Sequence, residues 1–138
     1  MKNKQFKRLP QRTVSSYKEV EFCVYNITWL AIIIDRDPHT IRRWEYNKVI
    51  PRPIFKIGKV RRRWYCGLEI NAYAKIFRQC DLRKGRSIDS TRFAEQCKTM
   101  HVVLQRKIET SPRILLQGVV NEEEIVARIK LINEAVKN

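Results

Sequence analysis

The side chains best equipped for chemistry in this chain are cations. Arg42 and Arg43 are adjacent, and a second group follows at Lys56, Lys59, Arg61, Arg62 and Arg63. A guanidinium presents N–H donors in a planar fork that fits a phosphate or a guanine edge, whereas an ammonium is a point charge. Their chemistry is recognition of a polyanion rather than bond making. His39 and Thr40 stand just before the arginine pair and can contact bases or phosphate.

Bond-making chemistry finds little support. Asp35, Asp37 and Glu45 lie in the same stretch, but a two-metal nuclease site needs carboxylates that converge. Asp37 already suits a helix cap, and Glu45 can pair with a nearby base. There is no phosphate-cradling glycine loop and no nucleophile with an assignable base. Cys23, Cys66, Cys80 and Cys97 are far apart, as are His39 and His101. A local zinc site needs ligands in close pairs. The expectation is a non-enzyme with no cofactor and no metal, in a reducing compartment.

The charge balance agrees. The 138 residues hold 29 Lys and Arg against 14 Asp and Glu, a net charge of +15. Residues 1–25 carry +4, 26–80 carry +8, 81–113 carry +4 and 114–138 carry −1. At 43% hydrophobic residues, the chain is too apolar for an unfolded basic tail. The longest apolar run, Leu30 to Ile34 with Trp29 before it, is far short of the roughly 20 residues a bilayer requires. No signal-peptide core follows the basic N-terminus. These features argue against secretion and membrane insertion and favour a cytoplasmic protein whose partner is nucleic acid.

The elements that must position these cations follow from spacing. Residues 1–24 read as a basic arm, flexible to about residue 16, with Glu19–Tyr25 as a short extended lead-in. Thr28 can cap a first helix to about Ile34, whose Ile32 and Ile33 make it apolar on two sides. Those two residues suit either packing within the chain or an interface with a partner. Asp37 and Pro38 are a cap and a first-turn proline for a second helix to about Tyr46. Ile41 and Trp44 share one face of it, and His39, Arg42, Arg43 and Tyr46 project elsewhere. Pro51 and Pro53 forbid helix beyond Ile50. Ile54–Ile57 and Val60–Tyr65 flank Gly58-Lys59 and predict a hairpin. A third helix covers Leu68–Gln79. A charged linker follows, then a helix over Thr91–Ile108 capped by Ser90. A last helix over Glu122–Val136 carries Ile125, Ile129, Ile132 and Val136 in one stripe, with Asn121 and Glu124 as a capping box.

Two short helices and a hairpin make a winged helix-turn-helix, and here the sequence resembles the MerR-type DNA-binding domain. Tyr25-Asn26-Ile27-Thr28-Trp29-Leu30-Ala31 matches the opening of the family's first helix. Thr40-Ile41-Arg42-Arg43-Trp44-Glu45 matches its recognition-helix core, and Val49-Ile50-Pro51 the lead into the wing. Gly58, Arg63, Tyr65, Glu69 and Ile70 follow in the family's order. The resemblance covers about residues 25–80. Asp35 and Arg36 replace the glycine and small apolar residue usual in the interhelix turn, so either the turn is rotated or Arg36 reaches the DNA backbone. Arg43 stands where the family often has tyrosine. Phage excisionases and small terminase subunits share this winged fold.

The resemblance implies a winged helix-turn-helix over 25–80; with the spacing of the later helices, the expected fold is mainly α with a small β-hairpin, and residues 81–138, which match the family less well, read as a linker and helical segment for oligomerisation or partner binding. The resemblance also implies sequence-preferring binding to double-stranded DNA, with His39, Thr40, Arg42, Arg43, Lys56, Lys59, Arg61, Arg62 and Arg63 at the contact. Arg42 is the expected reader of a base edge. Transcriptional regulation is the leading role. A phage or mobile-element packaging or recombination accessory, or a protein-interaction module of the transcription machinery, are the alternatives.

Overall fold

The computed structural model describes residues 9–57, 63–82, 87–89 and 91–137, without the side chains of Gln117, Val136 and Lys137. In chain order the elements are β1 (Arg12–Tyr17), β2 (Val20–Asn26), α1 (Ile27–Ile33), α2 (Pro38–Tyr46), β3 (Trp64–Cys66), α3 (Gly67–Gln79), α4 (Phe93–Thr110), a 3-10 helix (Pro112–Gln117) and α5 (Glu122–Lys137). The fold is mainly helical with one small antiparallel sheet in the order β1-β2-β3.

The sheet corrects two expectations. Ile54–Ile57 is not a strand. Pro51 and Pro53 remove ladder donors just before it, and the Ile54 N–H donates to Glu69 Oε2 at 3.1 Å instead. Lys56 therefore sits on irregular chain. Gly58, Lys59, Val60, Arg61 and Arg62 lie outside the described residues. Trp64 and Tyr65 are extended as predicted, but they pair with β2, Asn26 opposite Trp64 and Val24 opposite Cys66.

The second correction concerns the arm. Residues 12–26 form a hairpin, with Arg12 opposite Tyr25 and Tyr17 opposite Val20. Its two-residue turn places Lys18 and Glu19 at φ 48° and 66°, the left-handed geometry that matches strand twist. β2 alternates between two cores. Phe22 and Val24 join Trp64, Cys66, Ile108 and Leu115 on one side. Tyr25 joins the main core with Trp29, Leu30, Ile41, Tyr65 and Phe93 on the other. β1 is mostly exposed and polar, so it carries no apolar period to mark it as a strand.

The helices form close to where spacing put them, with different caps. Asn26 caps α1, its Oδ1 accepting from the Thr28 N–H at 3.0 Å; Thr28 was the expected cap. Asp37 caps α2, accepting from the His39 N–H at 2.8 Å, with Pro38 in the first turn. α4 starts at Phe93, where the Thr91 hydroxyl accepts the Phe93 N–H; Ser90 is outside the described residues. Asn121 Oδ1 accepts from Glu123 and Glu124 N–H groups, while the Glu124 carboxylate pairs with Arg128 and Arg78 rather than closing a capping box.

Ile32 and Ile33 are both buried within the chain, 5% and 2% exposed, in the core that also holds Ile125 and Ile129 of α5. The two-sided apolar helix is thus covered by the protein's own C-terminal segment. Gly67 and Gly118 seal this arrangement, because a Cβ on Gly67 would lie only 1.0 Å from the Gly118 carbonyl oxygen. No helix among the described residues is long and apolar enough to cross a membrane.

Candidate nucleic-acid interface

α2 supplies the exposed cations. His39, Arg42, Arg43 and Tyr46 are all exposed, and their i, i+3, i+4, i+7 spacing puts them on one stripe. Ile41 and Glu45 face the interior. Thr40 is half-buried at the side of the stripe. Tyr46 is 86% exposed, unusual for a large aromatic that the fold does not use. Its place on the stripe was legible from helical spacing, yet it was absent from the expected contact set.

In the turn before α2, Arg36 engages the chain itself. Asp35 adopts φ 51°, so the chain reverses without glycine. The Arg36 guanidinium donates to the Ile34 and Asp35 carbonyls and lies over the Phe77 ring, 5.5 Å from its centroid. It caps the C-terminus of α1 and covers an aromatic face of α3, where its charge favours the helix end.

Behind the stripe, α2 is tied to the chain entering β3. The Arg63 Nε–H donates to Glu45 Oε2 at 2.5 Å, and Arg52 approaches the same carboxylate at 3.8 Å. The Glu45 side chain is 6% exposed, that of Arg63 25% and that of Arg52 83%. Burial makes the Glu45–Arg63 pair positional: both groups lose water and are held by each other. Tyr65 lies beside them, fully buried, its hydroxyl without a hydrogen-bond partner among the described residues. Burial, with Glu45 and Glu69 close by, pushes that phenol far above its usual range.

Glu69 clasps the same region from α3. Its Oε1 accepts from the Cys66 N–H and its Oε2 from the Ile54 N–H, both at 3.1 Å. One buried carboxyl thereby holds both ends of the 54–66 segment. Burial pushes Glu69 up to about 7, and the two N–H donors pull it back only in part.

A polar cleft of about 210 Å³ opens where these parts meet. Arg42 of α2 and Arg63 line it, with Thr28 and Asn26 at the start of α1, Trp64 of β3, and Gln11 just before β1. Gln11 is fastened there, because its carbonyl accepts from the Trp29 indole N–H at 3.0 Å and from the Asn26 N–H at 3.2 Å. Among the described residues, no carboxylate lines the cleft. Nothing in the sequence linked Gln11 to Arg42; the hairpin brings them together.

Of the expected contact residues, His39, Arg42 and Arg43 share the exposed face of α2. Lys56 is exposed on the irregular segment, and Arg63 is half-buried on Glu45. Lys59, Arg61 and Arg62 lie outside the described residues. Cys66 and Cys97 are buried, and burial raises both thiols well above their usual range. Among the described residues, no three His, Cys, Asp or Glu side chains cluster as metal ligands. No protein-family model, curated protein or solved structure matches the chain.

Proposed function

We propose that this chain is a non-catalytic protein that binds double-stranded DNA with sequence preference and regulates transcription. The observation that carries the reading is the α2 stripe. A short, capped helix presents His39, Arg42, Arg43 and Tyr46 to solvent while Ile41 and Glu45 hold its back. A helix of this width fits the major groove. α1 and the Asp35 turn brace it, Glu45 holds Arg63 beside it and Glu69 holds the Ile54 N–H, and Lys56 and Arg63 supply contacts to phosphates. The capped α1–turn–α2 pair supports a MerR-like winged helix-turn-helix over 25–80, although Ile54–Ile57 does not form the first strand expected of its wing. The C-terminal segment supports self-association, since Val126 and Leu131 of α5 are 52% and 65% exposed.

Selection of bound fragments from random duplex DNA, with the mass of the complex, tests the proposal. An enriched motif whose binding falls on Arg43→Ala is expected. Recovery of unenriched fragments, unchanged by Arg43→Ala, would refute sequence-preferring recognition by α2. A paired half-site bound by a dimer fits regulation; a ring-shaped assembly fits a packaging accessory instead.

A further inference from the structure

The cleft beside α2 divides the labour of its arginines. On a helix each residue advances by about 100°. His39 and Tyr46 thus form the centre of the stripe, Arg43 one edge and Arg42 the other. The Arg42 edge is the one next to Glu45, and so next to Arg63. Arg42 lines the cleft; His39, Arg43 and Tyr46 do not.

The cleft is suited to a single anion of low charge. Two arginines line it and, among the described residues, no carboxylate does. Glu45 engages Arg63 through Nε, which fixes the guanidinium plane and leaves its terminal nitrogens to donate elsewhere. Arg42 forms no ion pair among the described residues. Thr28 adds a hydroxyl, and the Asn26 side chain, whose oxygen is spent on the Thr28 N–H, retains its amide donors. About 210 Å³ accommodates a phosphate with its ester oxygens, and with Arg63 balanced by Glu45 the Arg42 guanidinium leaves one net positive charge, which matches a monoanionic diester.

We propose that this cleft seats one phosphodiester, held by Arg42 and Arg63, so that Arg42 grips the backbone and base reading falls to His39, Arg43 and Tyr46. This rests on the DNA-binding reading and reverses the role that sequence alone assigns to Arg42. The N-terminal hairpin takes part through Gln11, which extends the DNA-facing surface beyond the helix-turn-helix.

The test compares Arg42→Ala and Arg43→Ala on a selected duplex and a scrambled one, across a salt series. Arg42 is exposed, so its truncation leaves the core intact. Arg42→Ala is expected to weaken both duplexes alike, by roughly tenfold, and to lower the salt slope by about 0.9. Arg43→Ala is expected to narrow the gap between the duplexes. Single neutral methylphosphonates scanned along the selected duplex should include one that weakens the wild type and leaves Arg42→Ala unaffected. If Arg42→Ala instead collapses the preference with the salt slope unchanged, Arg42 reads bases and the proposal fails. Titration with dimethyl phosphate, followed through the arginine Nε–H resonances, separates this from failure of the DNA reading. Arg42-dependent shifts in a chain that binds no duplex would keep the seat and make its diester a small molecule. Absence of both duplex binding and shifts overturns the seat as well.

Discussion

Two carboxyls, Glu45 and Glu69, show at the residue scale how a basic protein uses its few buried acids. Glu69 has the clearer consequence. Its folded pKa of about 7 exceeds its ordinary value of 4.5, so the folded state binds the proton more tightly. Stability from this group is full below pH 4.5 and is lost as pH rises through about 7. The shift corresponds to roughly 3 kcal/mol. Urea unfolding should therefore show a wild-type advantage at pH 5 over pH 8 that Glu69→Gln removes, because the amide does not titrate, although it can accept only one of the two N–H groups. An unchanged pH difference in Glu69→Gln would contradict the clasp. Glu45 makes the complementary case. Arg63→Ala strands a buried carboxylate and should cost about 3 kcal/mol, whereas the exposed Arg52→Ala should cost under about 1 kcal/mol. Equal losses in denaturant melts would contradict this asymmetry.

At the scale of elements, three helices end in the same way without glycine. After α1, α2 and α3, the residues Asp35, Lys48 and Asp81 adopt φ of 51°, 61° and 51°. The next N–H in each case reaches back to a carbonyl in the last turn: Arg36 to Ala31, Val49 to Trp44 and Leu82 to Phe77. This hydrogen-bond pattern ordinarily takes glycine, since a Cβ is strained there. Asp81→Gly is expected to raise stability by about 0.5–1 kcal/mol, read as a higher melting temperature. Lowered stability would show that the Asp81 side chain matters more than the strain. The helix starts were easier to read. Asp37-Pro38 announces α2 by local chemistry, and the structure keeps that cap. Thr28 failed as the predicted cap of α1 because several polar residues compete near that start, and the one chosen depends on the path of the incoming chain. Asn26 wins because β2 delivers it extended to the first turn of α1.

For the whole molecule, the decisive feature is that the N- and C-terminal segments close over the helical pair. The Tyr25 hydroxyl accepts from the Val120 N–H at 3.4 Å, Arg12 pairs with Glu122, and Ile125 is fully buried against the α1 core. The positive front and the nearly neutral C-terminal back therefore belong to one packed body. Gly67 meets the Gly118 backbone with no room for a Cβ. Gly67→Ala should cost about 3 kcal/mol or more, because backbone rather than a flexible side chain must move. A thermal melt within a degree of wild type would show that the two segments do not approach so closely.

The sequence by itself determined what is local. Capping chemistry, apolar spacing and the excess of cations specified α2, α3, the mainly helical class and the exposed cationic stripe, because each depends on residues within a turn or two of one another. Tertiary structure alone decided what is paired across distance. It turned residues 12–26 into a hairpin whose turn carries no glycine or asparagine, gave Trp64–Cys66 to β2, closed α5 over Ile32 and Ile33, and drew Gln11, Arg42 and Arg63 around one cleft. Strand partners and clefts are chosen by which surfaces remain to be buried once the helices have packed, and no spacing along the chain records that choice.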